Sequence, residues 1–199
     1  MEHSPFFATV SRMKYIDRWA LMRNSRVENL SEHSLEVAMI AHALCTIGNL
    51  RYGMNLNADK AAVMAMYHDA PEIITGDLPT PVKYFNSEIE NAYRQVEKVA
   101  VSELLMQLPE DLREVYTDIL NENDEELRTA VKAADKLSAL IKCMEEENAG
   151  NREFTTAAVS TRKALEEMIP SFAPLKDFIE TFIPDYGHTL DELLGRQEI

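Results

Sequence analysis

A polar intrusion in a helix that belongs to the core constrains this chain more than any other feature. Residues Ala61 to Tyr67 are almost wholly apolar, and the run continues directly into His68-Asp69, with Glu72 close behind. A helix that is apolar around most of its circumference belongs inside a fold. An imidazole and two acids placed there are costly unless they pair with one another or bind a metal. Asn57 can cap the start, so the pattern predicts one helix from 58 to about 75. His68 and Asp69 project about 100° apart on that helix. Glu72, four and three residues further on, lies on their shared face. Pro71 removes a backbone donor and kinks the helix beside the cluster. Gly76 ends it, and the two prolines of Asp77-Leu78-Pro79-Thr80-Pro81 stiffen the loop beyond.

The rest of the chain reads as more helix. Six Gly and eight Pro in 199 residues, with long runs rich in Ala, Leu, Glu and Lys, predict an all-α bundle. The length fits one domain, with a core over about 5–150 and a helical appendage over about 151–199. A first helix is expected over 5–18, then a loop over 17–24. Asn29 with Glu32, Ser87 with Glu90 and Asn123 with Glu126 resemble capping boxes. They open helices reaching about Leu50, Leu108 and Asn148. Pro109 opens a shorter helix, Glu110 to Leu120. Gly150-Asn151 breaks the chain before a helix from Phe154 to about Ile169. Two short amphipathic pieces follow, around Phe178–Phe182 and Thr189–Leu194.

The charge balance removes one class of partner. A formal charge of −14 argues against a nucleic-acid polymer, which needs clustered cations. It leaves room for a small phosphate ester, because a metal and one Arg reverse the sign locally. Cys45 and Cys143 lie far apart inside helical patterns and read as small buried hydrophobes in a reducing compartment. The N-terminal residues Met1 to Phe7 lack the cationic and apolar regions of a secretion signal. No apolar run reaches the roughly 18 residues of a membrane span. A soluble cytoplasmic protein is expected.

Two further polar residues stand on apolar faces. His33 lies in the first turn of its helix, near Val37, Ile40 and Leu44; it reads as a structural histidine or a ligand. His42, nine residues on, faces elsewhere. Asp135 borders the face made by Leu127, Val131, Ala134, Ser138 and Ile141. Ion pairs with Lys132 or Lys136 would account for it as well as a metal would. The only Trp, Trp19, stands beside Arg18, which reads as a Trp docked on the core with a solvated Arg or as part of a site. Taken jointly, His33, His68, Asp69 and Asp135 form a mixed N/O set on three helices. Such a set suits an octahedral first-row divalent ion with open positions. Without a thiolate, a closed structural zinc site is not expected. Glu72 would then be free to orient or deprotonate a water.

The order His33…His68-Asp69…Asp135 resembles the HD-domain metal-dependent phosphohydrolases, which are all-helical. Three segments resemble the bacterial 5'-deoxynucleotidases of that superfamily more closely. They are Ser11-Arg12-Met13-Lys14…Arg18-Trp19…Leu21-Met22-Arg23-Asn24, Glu28-Asn29…Ser31-Glu32-His33-Ser34-Leu35, and Tyr67-His68-Asp69…Glu72…Gly76-Asp77-Leu78-Pro79-Thr80-Pro81-Val82-Lys83-Tyr84-Phe85. The resemblance is densest over 6–86 and thins after about 150. It implies hydrolysis of deoxyribonucleoside 5'-monophosphates with cobalt or manganese, in a homodimer. It assigns His33, His68, Asp69 and Asp135 to the metal and Glu72 to catalysis. Arg18 would bind the phosphate, with His33 and Asp135 also beside the substrate. Trp19 would pack on the sugar and exclude a 2'-hydroxyl. Asp77, Leu78, Pro79 and Thr80 would line the sugar and phosphate side. Pro71 departs from the family pattern, where a small residue such as Ser is expected. The competing readings are another HD-type nucleotide phosphohydrolase, either a pyrophosphohydrolase or a cyclic-nucleotide phosphodiesterase, and a non-catalytic helical binding module.

Overall fold

The computed structural model describes residues 3–83, 85–121 and 123–195; Tyr84 and the side chain of Thr80 fall outside the described residues. In chain order the helices are α1 (Phe6–Val10), α2 (Leu30–Tyr52), α3 (Ala58–Tyr67), α4 (Glu72–Thr75), α5 (Thr80–Lys83), α6 (Ser87–Met106), α7 (Glu110–Leu120), α8 (Glu125–Asn148), α9 (Thr155–Met168), α10 (Pro174–Phe182) and α11 (Leu190–Leu193). Tight 3-10 turns follow α1 (Ser11–Tyr15), precede α9 (Arg152–Phe154) and follow α10 (Ile183–Asp185). No strand occurs among the described residues, apart from one isolated bridge between Asp17 and Asn29. The expected all-α class holds.

The 23-residue helix α2 lies at the centre, packed against α3, α8 and α10, and α8 packs against α9. Val37, Ala41 and Leu44 of α2 meet Met64 of α3 and Leu137 and Ile141 of α8 in one core. Each large aliphatic side chain buried there contributes about 1.5–3 kcal/mol. Ala130, Ala133 and Ala134 on α8 are fully buried. Their small side chains let α2 and α3 approach α8 closely, which brings Asp135 within reach of both. Phe172, Leu175, Phe178 and Ile183 of the C-terminal third join the same core. Where α10 meets α2, a Cβ on Gly48 would stand 2.9 Å from Met54 Sδ and 3.2 Å from Pro174 Cγ. A second cluster, with Phe6, Met13, Leu30, Ala70, Leu104 and Leu120, joins α1, α6 and α7 to the turn after α3.

The largest departure from expectation is at the opening motif. The helix predicted over 58–75 stops at Tyr67, and α4 begins afresh at Glu72. Pro71 has no N–H to offer the carbonyl of Tyr67, and its ring would collide with that carbonyl in a continuous helix. The chain turns tightly instead: Ala70 N–H donates to Tyr67 O (3.0 Å) and Glu72 N–H to Asp69 O (2.9 Å). Pro71, with φ −59°, then serves as the N-cap of α4. Glu72 therefore does not share a helical face with His68 and Asp69; it sits on its own short helix.

Smaller corrections concern helix ends. The predicted 5–18 helix is α1 plus a 3-10 turn, because the chain then pairs with the approach to α2. Leu30 N–H donates to Ile16 O (3.0 Å) and Arg18 N–H to Glu28 O (2.9 Å). Asn57 and Asn29 cap as expected, but Glu32 does not close a box; it faces Arg26 at 3.7 Å. Asn86 rather than Ser87 caps α6, donated to by Ile89 N–H at 2.8 Å. Asp124 rather than Asn123 caps α8. In each case the short Asx side chain accepts from the N–H three residues on, and a one-residue shift keeps that geometry.

Candidate active site

Three elements deliver the predicted ligands to one point. His33 comes from the first turn of α2, His68 and Asp69 from the tight turn after α3, and Asp135 from the middle of α8. Ligand atoms of His33, His68 and Asp135 lie within 4.8 Å of one another. Asp69 Oδ2 reaches the same cluster, 3.1 Å from His68 Nε2 and 3.5 Å from His33 Nε2. Asp135 Oδ1 is 3.2 Å from His33 Nε2. Asp135 pairs with His33 and Arg18, and Lys132 and Lys136 do not supply the ion pairs considered from sequence. His42 is half-exposed beside Asp59, away from the cluster.

These residues fit a divalent cation. His68 Nδ1 is 2.7 Å from the Ala65 carbonyl, which can only accept, so Nδ1 carries the proton. The Nε2 atoms of both His33 and His68 are buried and have no hydrogen-bond partner among the described residues. Buried polar atoms left this way are rare and call for a partner. The charges agree. Burial raises the Asp69 pKa, but His68 outweighs it and brings the carboxyl down to about 2. Burial likewise opposes ionisation of Asp135, and His33 overrides it, holding the carboxyl well below its ordinary range. Burial alone would lower the His68 pKa; Asp69 and then Asp135 raise it to about 10. His33 differs: burial and then Arg18 lower its pKa, which keeps that imidazole neutral beside the two ionised carboxylates.

Glu72 is the opposite case. It is 8% exposed, and Oε2 has no hydrogen-bond partner among the described residues. Burial first, then Asp69 and Asp77, push its pKa up to about 9. A carboxyl so placed holds a proton at neutral pH and is poised to exchange it.

Beside the cluster runs a groove of about 760 Å³ whose walls include Arg18, Trp19, Asp77, Pro79, Pro81 and Asp135. Arg18 Nη1 is 2.7 Å from Glu28 Oε2, and Nη2 is 3.9 Å from Asp135 Oδ1. Burial works against its charge, but Glu28 and then Asp135, Asp69 and Asp77 hold its pKa above the ordinary value. Trp19 has φ +58°, a left-handed backbone that a bulky residue adopts only when its surroundings enforce it. The enforcement is visible: its ring tilts against Phe154 with centroids 5.4 Å apart, and its carbonyl accepts from Met22 N–H at 2.8 Å. Asp77 and Trp19 line the same groove, which brings the loop after α4 beside this segment; burial first raises the Asp77 pKa, and Arg18 and the Trp19 backbone act against that.

The sequence model of the family described as 5'-deoxynucleotidase YfbR-like matches residues 5–186. A 5'-deoxynucleotidase from Erwinia tasmaniensis is 50% identical over 195 residues, covering 97% of this chain and 98% of that protein. The 5'-deoxynucleotidase YfbR of Salmonella paratyphi B is 49% identical over 195 residues, 97% of each chain. The chain belongs to the YfbR-like 5'-deoxynucleotidase family. The resemblance read from the sequence is thereby confirmed. The fold is also similar to that of an HD-domain phosphohydrolase from Listeria innocua, with a TM-score of 0.80 at 22% identity, covering 91% of this chain and 87% of that one. An HD phosphohydrolase of cyanophage S-2L, solved with dA and one catalytic Zn2+, matches with a TM-score of 0.62 at 19% identity over 89% and 96% of the two chains.

Within this YfbR-like chain the structure brings His33, His68, Asp69 and Asp135 together and sets Arg18, Trp19, Asp77 and Pro79 along the groove. Leu78 is half-buried and forms no part of the groove wall. The Thr80 side chain falls outside the described residues. Sequence reading missed the far wall of the groove, where Thr156, Ala157, Ser160, Thr161 and Ala164 face inward from α9. Their spacing is that of one helical face, and small residues there leave room for a flat ligand. It also missed Glu28, which holds Arg18, and Glu146, which anchors the segment that carries Arg18 and Trp19. Glu146 accepts from Ser25 N–H (2.8 Å), Arg26 N–H (3.3 Å), Asn151 Nδ2 (2.8 Å) and the Lys142 ammonium. Only Asn29 as a cap hinted that this segment was fixed.

Proposed function

We propose that the chain hydrolyses deoxyribonucleoside 5'-monophosphates to deoxynucleoside and phosphate and selects against ribonucleotides. The observation that carries this reading is the meeting of two bare, buried imidazole nitrogens and two ionised carboxylates beside a groove that opens on Arg18 and Trp19. The names of the curated relatives support the substrate class. His33, His68, Asp69 and Asp135 would hold the ion, for which manganese or cobalt suits the mixed N/O donors. Such an ion supplies a lowered water pKa and offsets charge on the phosphoryl group.

The chain's own residues do the rest. Arg18, already among carboxylates, donates its planar fork to the phosphate oxygens. Glu72, buried and inclined to hold a proton, moves it between the attacking water and the 5'-oxygen as the P–O5' bond breaks. Trp19 walls the sugar, and a ribose 2'-hydroxyl would meet an aromatic face with no hydrogen-bond partner. Asp77 lies beside Trp19 in the groove lining, and Pro79 stiffens the same wall; Leu78 and Thr80 complete that loop. The molecule acts in the cytoplasm, consistent with two buried free cysteines and no described helix long and apolar enough to cross a membrane. It forms a homodimer, for which exposed Leu35 and Met39 on α2 are candidate contacts.

The test is phosphate release from paired dNMPs and NMPs with Mn2+, Co2+ or Zn2+ added in turn. The reading expects turnover of dNMPs and much slower turnover of NMPs. Equal rates on both sugars would remove the Trp19 role. Activity confined to nucleoside triphosphates or cyclic nucleotides would replace the reaction altogether.

A further inference from the structure

A second cleft, of about 150 Å³, shares no lining residue with the groove; Arg26, Glu28, Glu32, Glu36, Lys142 and Glu145 line it. Glu36 has no part in the chemistry described above. It stands one turn after His33 on α2, as Ser138 stands one turn after Asp135 on α8. Ser138 is fully buried and lies between them: its Oγ is 2.9 Å from His33 Nδ1 and 2.6 Å from Glu36 Oε2.

The direction of these bonds matters. A serine hydroxyl has one proton to give. Ser138 gives it to Glu36, so its oxygen accepts from His33 Nδ1–H. That leaves a lone pair on His33 Nε2, the atom that faces the metal cluster. Arg18 exerts the opposite demand, and so, while no ion intervenes, does Asp135 Oδ1 at 3.2 Å from Nε2. Arg18 Nη1 is 2.8 Å from the same Nδ1, and a guanidinium can only donate. A bond from Arg18 to Nδ1 would require the proton on Nε2, and a protonated Nε2 cannot ligate a metal. Arg18 Nη1 has an alternative acceptor in Glu28 Oε2, at 2.7 Å. His33 has no other acceptor for Nδ1–H than Ser138 among the described residues. Glu36 borders the cleft, whose lining also includes Arg26 and Lys142 among the carboxylates of Glu28, Glu32 and Glu145.

We infer that Glu36, acting through Ser138, is a positioning residue that holds His33 in the Nδ1–H tautomer and so keeps Nε2 available to the metal. This rests on the metal site of the proposed function, not on its substrate. A carboxylate that orders a ligating histidine through its second nitrogen is a recurring way to raise metal affinity; here a serine is interposed between the two.

The experiment uses the full chain stripped of metal, titrated with Mn2+ against a chelator, together with 15N long-range NMR of the imidazoles. Wild-type His33 is expected to carry its proton on Nδ1, bonded to Ser138, and to present a pyridine-type Nε2 once a diamagnetic divalent ion such as Zn2+ is added. Ser138→Ala should weaken Mn2+ binding about 10- to 100-fold and move the His33 proton to Nε2 as Arg18 takes over Nδ1. Glu36→Leu, at a half-buried position, should do the same with the fold intact. Glu36→Gln, which can accept through its oxygen or donate through its nitrogen, should give a mixture of tautomers and an intermediate affinity. The inference is overturned if wild-type His33 lacks a proton on Nδ1, or if folded Ser138→Ala and Glu36→Leu bind Mn2+ within about twofold of wild type. A chain that shows the expected tautomers and affinities yet releases no phosphate would overturn only the reaction.

Discussion

Glu146→Ala should show that the segment carrying Arg18 and Trp19 is held by a buried charge. Glu146 and Lys142 are 1% and 3% exposed, one turn apart on α8. The carboxylate accepts from two consecutive backbone N–H groups, at Ser25 and Arg26, and the ammonium also donates to Arg26 O. The alanine variant leaves a buried ammonium with that carbonyl and the face of the Phe154 ring, but no counter-charge bonded to it. Removing one partner of a buried pair costs about 3–5 kcal/mol. The stranded Ser25, Arg26 and Asn151 donors add to this only in part, because water enters the space left by the side chain. Total stability of a domain is about 5–15 kcal/mol, so roughly a fifth or more is lost. With a urea m-value of about 2–3 kcal/mol/M, the midpoint falls by roughly 1–2 M. A double variant, Lys142→Met with Glu146→Leu, removes both charges and should regain at least half of the loss. It still lacks the acceptor for Ser25 and Arg26, so KM for a dNMP should stay high while stability returns. The assays are urea denaturation followed by circular dichroism, and steady-state phosphate release. A loss under about 1 kcal/mol in the single variant, the value of an exposed pair, would refute the reasoning. So would a double variant no more stable than the single one.

Glu72→Ala should lower kcat about 10²- to 10⁴-fold while Mn2+ affinity, read by chelator competition, stays at the wild-type value. Trp19→Leu should narrow the dNMP-to-NMP ratio of kcat/KM by about 10-fold or more, measured on matched pairs. Gly48→Ala gains about 1 kcal/mol of helix propensity but drives a Cβ into Met54 and Pro174. Overpacking of this kind costs about 1–3 kcal/mol, so Tm should fall or stay level and not rise. The Glu146 carboxyl is held well below its ordinary range: burial opposes ionisation, and Lys142 and Ser25 override it. Its stabilisation is complete above the unfolded value of about 4.3 and is lost as pH falls below that toward the folded value. The stability gap between wild type and Glu146→Gln should therefore be constant from pH 7 to 5 and shrink as the pH is lowered further.

Much of the helical plan was readable because helix formation leaves a periodic trace. The apolar faces of α2, α3 and α8 named the core, and the four polar residues that interrupt or directly follow them named the cluster. Asp135 was ambiguous because Lys132 and Lys136 are near in sequence, whereas Arg18 and His33 are near only in the fold. Ser138 illustrates the same limit: it read as one more small residue on an apolar face, since its partner His33 lies 105 positions away. The break at Pro71 was read as a kink. A missing donor permits either outcome, and what decides it is the packing of Ala70 with Phe6, Leu30 and Leu104, which no local pattern encodes. Caps moved by one residue because adjacent Asx and Ser side chains compete for the same N–H groups.

The interruption between His68-Asp69 and Glu72 has a consequence for how such a protein can diversify. His33 and Asp135, proposed to hold the ion, belong to the long helices α2 and α8, and His68 and Asp69 to the turn that ends α3, whereas Glu72 belongs to α4, a four-residue helix bounded by Pro71 and by Gly76 at φ +73°. Substitutions that retune or relocate the acid need not be transmitted to His33 or Asp135, and only Asp69, whose carbonyl accepts from Glu72 N–H, joins the two directly. Selection acts on two separable traits, ion retention and turnover. A lineage can lose or exchange one of them while the other is inherited intact.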